Sequence, residues 1–322
     1  MPRLTRPVAA AVILPLAALL AACAAPAPTP SATVSTLVVT NCGVAVTFET
    51  PPQRVVTIKS TSTEMMLALG VGDRIVGTAF QDGPVPEEWA ADADQLTSIS
   101  DFMPSEEAVL ELEPDLVYSG WESAFAPDAA GDRSELSTLG VASYVQPAAC
   151  RSADVPPKLT FDEVFGEIQE AADIFGVSAD DLLAAQRAEL AAIEADDRGL
   201  TALWYSSGTD IPYVGAGLGA PQLVLETAGL TNIAGDLEMT WSSFGWESIV
   251  AADPDVIVLI DADWNTAASK IALLESNPAT AALAAVQQQR YIILPFAAGE
   301  AGVRTVSAAA SVVKQLAELD LP

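Results

Sequence analysis

The amino-acid sequence predicts an α/β protein built of two doubly wound lobes with parallel sheets, joined by a single long interlobe helical segment. Three observations predict it. Short β-branched runs, apolar almost throughout, alternate with helical patterns, as parallel strands covered on both faces do. A block of the first half recurs in the second: "SEEAVLELEPDLVYSG" (105–120) aligns with "GWESIVAADPDVIVLI" (245–260) at a constant offset of 140 residues. Glu107, Pro114 and Asp115 thereby fall on Glu247, Pro254 and Asp255. Between the halves, from Lys158 to about Asp197, no strand pattern occurs.

Taken in order, the chain opens with Arg3 and Arg6 ahead of the apolar run "VAAAVILPLAALLAAC", built like a secretory signal over residues 1–22. The run ends in "LAAC", which resembles the lipobox of bacterial lipoproteins; the resemblance implies lipidation of Cys23 after cleavage. An ordinary signal with an incidental cysteine is the alternative. Residues 23–50 read as a tether, "AAPAPTPSATVST", followed by a first strand.

The first lobe is expected over 51–157, with strands in "RVVTI", "DRIVGTA", "DLVYSG" and "VASYV". "TSTEMMLALG" reads as a helix opened by a capping box of Thr61 with Glu64 and closed at Gly70. Ser105 precedes Glu106 and Glu107 in a further first turn, where carboxylates suit the helix dipole. The interlobe segment, 158–197, has a capping box of Thr160 with Glu163, then Phe161, Val164, Phe165, Ile168, Ala172 and Phe175 at helical spacing. Gly176 ends that pattern and Ser178 caps the next helical run, "SADDLLAAQRAELAAIEA". A helical connection made once permits less hinge motion than several crossing strands. The second lobe, 198–322, offers strands in "TALWYSS", "DVIVLI" and "RYIILPF", and "ETAGLTNIAGD" answers "ALGVGDRIVGTA" of the first.

Composition excludes several functions. With 43 acidic against 14 basic residues the chain carries a formal charge of −29, and removal of Arg3 and Arg6 deepens it. Such a surface repels nucleic acid and anionic headgroups. Histidine is absent and cysteines are not clustered, so zinc, copper or haem ligation by the protein itself is not expected, nor any resident cofactor. "DADWN" lacks the spacing of a calcium-binding EF-hand loop. With Cys23 lipidated, Cys42 and Cys150 remain, and an exported chain with an even count suggests a disulfide; two buried free thiols are the alternative.

The order "PPQRVVTIKSTSTEMMLALGVGDRIVG", then Glu, six residues and "PDLV", then a long helical segment and a second lobe, resembles the substrate-binding lipoproteins of ABC importers for iron-siderophores and cobalamin, over residues 50–320. The resemblance implies the class III periplasmic-binding-protein fold, a ligand held between the lobes, no enzymatic activity, and extracytoplasmic attachment to the membrane through the lipid alone. It implies a monomer that docks on an ABC permease dimer through one exposed Glu per lobe, which carries over to Glu107 and Glu247. "GWESAFAPDAAGDR", "YSSGTDIPYVGAGLGAPQ" and "AVQQQRY" look closest to an actinobacterial subgroup proposed to import a deazaflavin coenzyme precursor. Ferric siderophore, that precursor and cobalamin are the ligands implied.

Open α/β sheets bind ligands beyond the carboxyl ends of their strands. The residues expected there are Ser60, Thr61, Trp121, Glu122, Tyr205, Ser206 and Trp264, joined by the loop residues Tyr213 and Trp241. Phe244 and Trp246 read as packing. Arg304 is the candidate to hold an anionic group in a chain poor in bases. Gly215, Gly217 and Ala220 satisfy a relaxed dinucleotide pattern, but no strand runs into the first glycine, and a glycine-lined helix start receiving a phosphate or carboxylate is the better reading. The rival class is an exported carboxylate-dependent hydrolase, which requires Glu122 to face Asp261 or Asp263 across the cleft.

Overall fold

A computed structural model describes residues 1–2, 36–151 and 155–321. The candidate signal, Cys23 and the tether up to residue 35 lie outside the described residues. The first expected strand proves to be a hairpin, β1 (Leu37–Asn41) and β2 (Val44–Phe48), paired antiparallel about Cys42 and Gly43. Both turn residues have positive φ, 50° and 77°, which matches the twist of a two-residue hairpin and suits glycine at the second position.

The first sheet contains β3 (Val55–Ile58), β4 (Ile75–Ala79), β5 (Ser98–Ser100), β6 (Leu116–Ser119) and β7 (Ala142–Val145). The helices among them are α1 (Ser60–Ala68), α2 (Ala90–Ala93), α3 (Glu106–Leu110) and α4 (Arg133–Thr138). All five strands are parallel in the order β5-β4-β3-β6-β7, so the winding reverses between β3 and β6 and opens a crevice beyond their carboxyl ends. The hairpin is fastened to this sheet. Asn41 Nδ2 donates to the Val145 carbonyl at 2.7 Å, the Val145 amide donates to Asn41 Oδ1 at 2.8 Å, and a disulfide joins Cys42 to Cys150.

The connecting segment contains α5 (Phe161–Phe175) and α6 (Asp180–Ala191), two helices in succession. The Thr160–Glu163 capping box opens α5, and Gly176 at φ 67° ends it. Two expected caps differ. Lys59, not Thr61, stands at the N-cap of α1, which draws Thr61 into the helix. Ala179 occupies the N-cap of α6, while Ser178 Oγ accepts from the Asp180 amide at 3.1 Å.

The second sheet contains β8 (Thr201–Ser207), β9 (Tyr213–Gly215), β10 (Thr231–Asn232), β11 (Trp241–Ser243), β12 (Val256–Asp261) and β13 (Tyr291–Pro295). Its helices are α7 (Ala220–Thr227), α8 (Trp246–Ala252), α9 (Ala267–Ser276), α10 (Ala284–Gln287) and α11 (Thr305–Leu316). The order is β11-β9-β8-β12-β13, with β10 beside the start of β8. This sheet departs from purely parallel pairing, because β8 turns back through Gly208 (φ 83°) into antiparallel β9. A side chain at Gly208 would meet the Ile211 carbonyl oxygen at 2.3 Å, so the turn needs glycine.

The repeated block now has a structural meaning. Glu113 and Asp253 both take left-handed backbone, φ 46° and 45°, at the end of α3 and α8. Asp115 then accepts from the Gln53 and Arg54 amides at 2.7 and 2.9 Å, and Asp255 from the Thr201 amide at 2.8 Å. Each aspartate thus holds the start of the central strand of its own sheet.

Each sheet is covered on both faces. One core crosses the boundary between lobes: Val55, Leu116 and Tyr118 of the first sheet pack with Ile168 and Phe175 of α5, Leu183 of α6, Leu223 of α7 and Val306 of α11. Among the described residues no helix is long and apolar enough to cross a membrane.

Candidate functional site

Where the carboxyl ends of the two sheets meet, the lobes are joined by a buried seam. Lys59 follows β3 with φ 77° and is wholly buried. Its ammonium pairs with the Asp82 carboxylate and lies 4.0 Å from the rings of Phe80 and Trp121, 4.6 Å from Phe296 and 5.6 Å from Trp264. Phe80, Asp82 and Trp121 belong to the first lobe, Trp264 and Phe296 to the second. Trp264 Nε1 donates to Asp82 Oδ1 at 3.0 Å. Burial pulls the Lys59 pKa down, and the Asp82 and Glu300 carboxylates oppose that pull. A buried ammonium is tolerable here because it has both a counter-ion and ring faces.

Two further ties cross the seam. Glu300, just after β13, accepts from Thr61 Oγ1 and Trp121 Nε1, each at 2.6 Å. Burial pushes the Glu300 carboxyl up to about 7, with Asp82 adding to the rise and Lys59 opposing it. Arg304 at the start of α11 reaches Glu64 of α1 at 3.1 Å. Burial likewise pushes Glu64 up to about 7 against the pull of Arg304.

Beside Glu300 the lobes part to leave a cleft of about 920 Å³. Its first wall is the crevice of the first sheet, with Thr61, Trp121, Glu122 and Gln146; its second is formed by Tyr213, Trp241 and Leu218–Ala220; its floor is α5. Tyr213 and Trp241, on the adjacent strands β9 and β11, stack with ring planes 13° apart and centroids at 6.1 Å. Glu163, Glu167 and Glu170 share the cleft-facing side of α5 at helical spacing. Gln146 Nε2 donates to Glu167 at 2.7 Å, and the Tyr144 hydroxyl donates to Glu170 at 2.5 Å. Burial pushes the Glu167 carboxyl up to about 8, with the Gln146 amide opposing.

Of the residues expected from sequence, Thr61, Trp121, Glu122, Tyr213 and Trp241 line this cleft. Trp264 sits in the seam instead, and the Ser60 hydroxyl accepts from the Asp82 amide at 2.7 Å. Tyr205 and Ser206 are buried in the second lobe; the Tyr205 hydroxyl donates to the Gly208 carbonyl at 2.6 Å and its ring packs against Trp246. Arg304 does not face the cleft, because Glu64 claims its guanidinium. The hydrolase pair is not assembled either: Glu122 accepts from the Arg151 amide, Asp261 accepts from the Ala267 amide at 2.6 Å, and neither Asp261 nor Asp263 lines the cleft. Against the sequence expectation a strand, β9, does run into Gly215, but Gly215 and Gly217 serve close packing, since a Cβ would lie 2.2 Å from Pro221 at the first and 2.0 Å from the Gly235 carbonyl oxygen at the second.

Sequence reasoning missed Lys59, Gln146, Glu167, Glu170 and Glu300. A lysine directly after the β-branched run "VVTI" was the available signal for the first; the others depend on which helix face the second lobe leaves open. Among the described residues no group of three or more His, Cys, Asp or Glu side chains could hold a metal ion.

A family model described as a periplasmic binding protein matches residues 55–298. An ABC transporter substrate-binding lipoprotein of Bacillus subtilis is 25% identical over 225 residues, covering 67% of this chain and 66% of its own length. A cobalamin-binding protein of Halobacterium salinarum is 29% identical over 227 residues, covering 66% of this chain and 55% of its own length. These matches span just under two thirds of the first relative and about half of the second. Among solved structures, the chain is similar to one titled an ABC-type Fe3+-hydroxamate transport system from Saccharomonospora viridis, with a TM-score of 0.75, 27% identity, and coverage of 87% of this chain and 98% of that one. The relatives are named as binding proteins, one for a transporter's substrate and one for cobalamin, not as enzymes.

Proposed function

The chain belongs to the periplasmic binding protein family, and from that premise we propose that it is an extracytoplasmic solute-binding lipoprotein. It captures a metal chelate or similar flat organic ligand between its lobes and delivers it to an ABC permease. The observation that carries this reading is the cleft of about 920 Å³ at the carboxyl ends of both sheets, a size suited to a small chelate and bordered by Trp121, Tyr213 and Trp241. Aromatic faces at an open cleft, on a scaffold whose lobes share a core, suit capture of a ligand with conjugated surface.

Ferric siderophore, the deazaflavin coenzyme precursor and cobalamin all remain within this proposal. Arg304, engaged by Glu64, is not the group that would hold an anionic part of any of them; Arg151 and the start of α7 at Gly219 and Ala220 line the cleft instead. Attachment to the membrane through Cys23 and docking through Glu107 and Glu247 belong to the same proposal. Glu107 and Glu247 are both exposed in the first turns of α3 and α8, and neither lines the cleft.

Native mass spectrometry of the protein purified from its own host tests the reading. A released small molecule with the absorbance of a ferric chelate, a deazaflavin or a corrinoid is expected, together with an N-terminal diacylglyceryl cysteine. Steady turnover of a glycoside or ester by the purified protein would overturn it.

A further inference from the structure

Resting on the reading of this cleft as a solute site, we propose that its solute is a cation: a chelate or flat molecule with net positive charge or a protonated amine directed at α5. The site itself is marked by the cleft and by the stacked Tyr213–Trp241 pair, of which Tyr213 is exposed. The class of solute is marked by charge. The described lining residues include Glu122, Glu163, Glu167, Glu170, Glu238 and Glu300, whereas Arg151 is the one basic residue among them.

What holds these carboxylates matters as much as their number. Glu167 accepts from an amide, Glu170 from a phenol, and Glu300 from a hydroxyl and an indole. Neutral donors fix position without supplying a counter-ion; burial lets Glu167 and Glu300 hold protons near neutral pH, and an approaching cation would displace them. None of the six takes part in an ion pair among the described residues. An anion entering here would face these acids with Arg151 and the start of α7 to offset them, whereas a cation would supply the missing partner to each acid it approaches.

The seam offers an internal precedent. Trp121 and Glu300 each face two ways: they line the cleft, and they flank the buried Lys59 ammonium, the indole at 4.0 Å from it. The protein therefore already accommodates one ammonium between ring faces and carboxylates on the far side of these two residues. The open side presents the same chemistry, ring faces of Trp121, Tyr213 and Trp241 and the acids of α5, to a ligand.

A charge series on constant scaffolds tests the inference, read by tryptophan fluorescence of the mature protein. One series is a ferric trihydroxamate with a pendant primary ammonium, the same chelate N-acetylated to neutrality, and the same chelate N-succinylated to an anion. The other is a cationic aquated corrinoid against its neutral cyano form. Within whichever scaffold binds, the cation is expected to bind at least tenfold more tightly than the neutral form, and the anion least. Glu167→Gln with Glu170→Gln is expected to reduce the preference to below threefold while the neutral form still binds. If that double variant fails to fold, the wild-type series decides alone. Equal affinities within a binding scaffold, or an anion that binds best, would overturn the charge inference and leave the chelate reading standing. Failure of both scaffolds to bind would overturn the chelate reading and the inference with it.

Discussion

Glu64 of the first lobe and Arg304 of the second form a buried ion pair, Oε1 to Nη1 3.1 Å, across 240 residues of sequence. The Glu64 side chain is 2% exposed. Breaking such a pair from one end leaves the other charge stranded, typically at a loss of about 3–5 kcal/mol. Arg304→Ala is therefore expected to destabilise the protein by roughly 3 kcal/mol, lessened because Glu64 can take up a proton. Glu64→Gln keeps a neutral partner of the same shape and is expected to lose well under half as much. Urea unfolding of both variants checks this; equal losses would contradict the assigned geometry.

Stability should also depend on pH in an unusual direction. Burial raises Glu64 and Glu300 to about 7 and Glu167 to about 8. The same groups in the unfolded chain titrate near ~4.3. Between those values the folded state holds protons that the unfolded state has lost, so the favourable contribution is complete below about 4.3 and disappears as pH rises through 7 to 8. The melting temperature is expected to fall by several degrees from pH 5.5 to pH 8.5, and the decline should flatten when all three acids are replaced by Gln. A melting temperature that climbs across this window would refute the prediction.

Much of the fold was legible because it is local. The runs "RVVTI", "DLVYSG" and "DVIVLI" become β3, β6 and β12, since parallel strands buried on both faces read as nearly continuous apolar, β-branched-rich sequence. The Thr160–Glu163 capping box and Gly176 delimit α5 through contacts within a few residues. Strands β9 and β11 were not legible: each is three residues long, and β9 exists because β8 supplies an edge, β11 because β9 supplies the next. The site divides in the same way. Trp121 and Thr61 follow strands, and both line the cleft at the strand ends where position alone put them. Arg304 was identified as an unusual cation, but its partner lies on α1, and no local signal distinguishes a guanidinium facing a ligand from one facing Glu64. Lys59 was passed over because its burial depends on Trp264 and Phe296, which arrive from the other half of the chain.

The shared core bears on motion. Apolar contacts run unbroken from Leu116 and Tyr118 through α5 to Leu223 and Val306, and the Lys59 seam adds rings from both lobes. Opening the cleft widely would expose that core and strip the Lys59 ammonium of its partners, so ligand binding is expected to cause little lobe closure. Small-angle scattering with and without bound solute should return nearly the same radius of gyration. A contraction of several ångströms, as a strand-hinged clamshell would give, would exclude this account.

The last prediction concerns Glu107 and Glu247. They stand at matching points of the repeat, each exposed in a first turn and each followed by the left-handed residue and the Pro-Asp pair that start the next strand. Their neighbours Asp115 and Asp255 have a structural task in common, anchoring β3 and β8. Among the described residues no bond of that kind involves Glu107 or Glu247; a first-turn carboxylate suits the helix dipole, but the dipole does not require glutamate at the matching point of both lobes. A pair of equivalent carboxylates suits a partner that presents the same arginine pocket twice, as two permease subunits would. Loss of one member of a desolvated charge pair typically weakens docking by about 2–5 kcal/mol. Glu107→Ala with Glu247→Ala is thus expected to abolish uptake in cells while the solute dissociation constant stays within about twofold of wild type, or roughly 0.4 kcal/mol. Unimpaired uptake by the double variant would remove the docking role. A large loss of solute affinity would instead place these carboxylates at the cleft, where the geometry puts Glu122, Glu167 and Glu300.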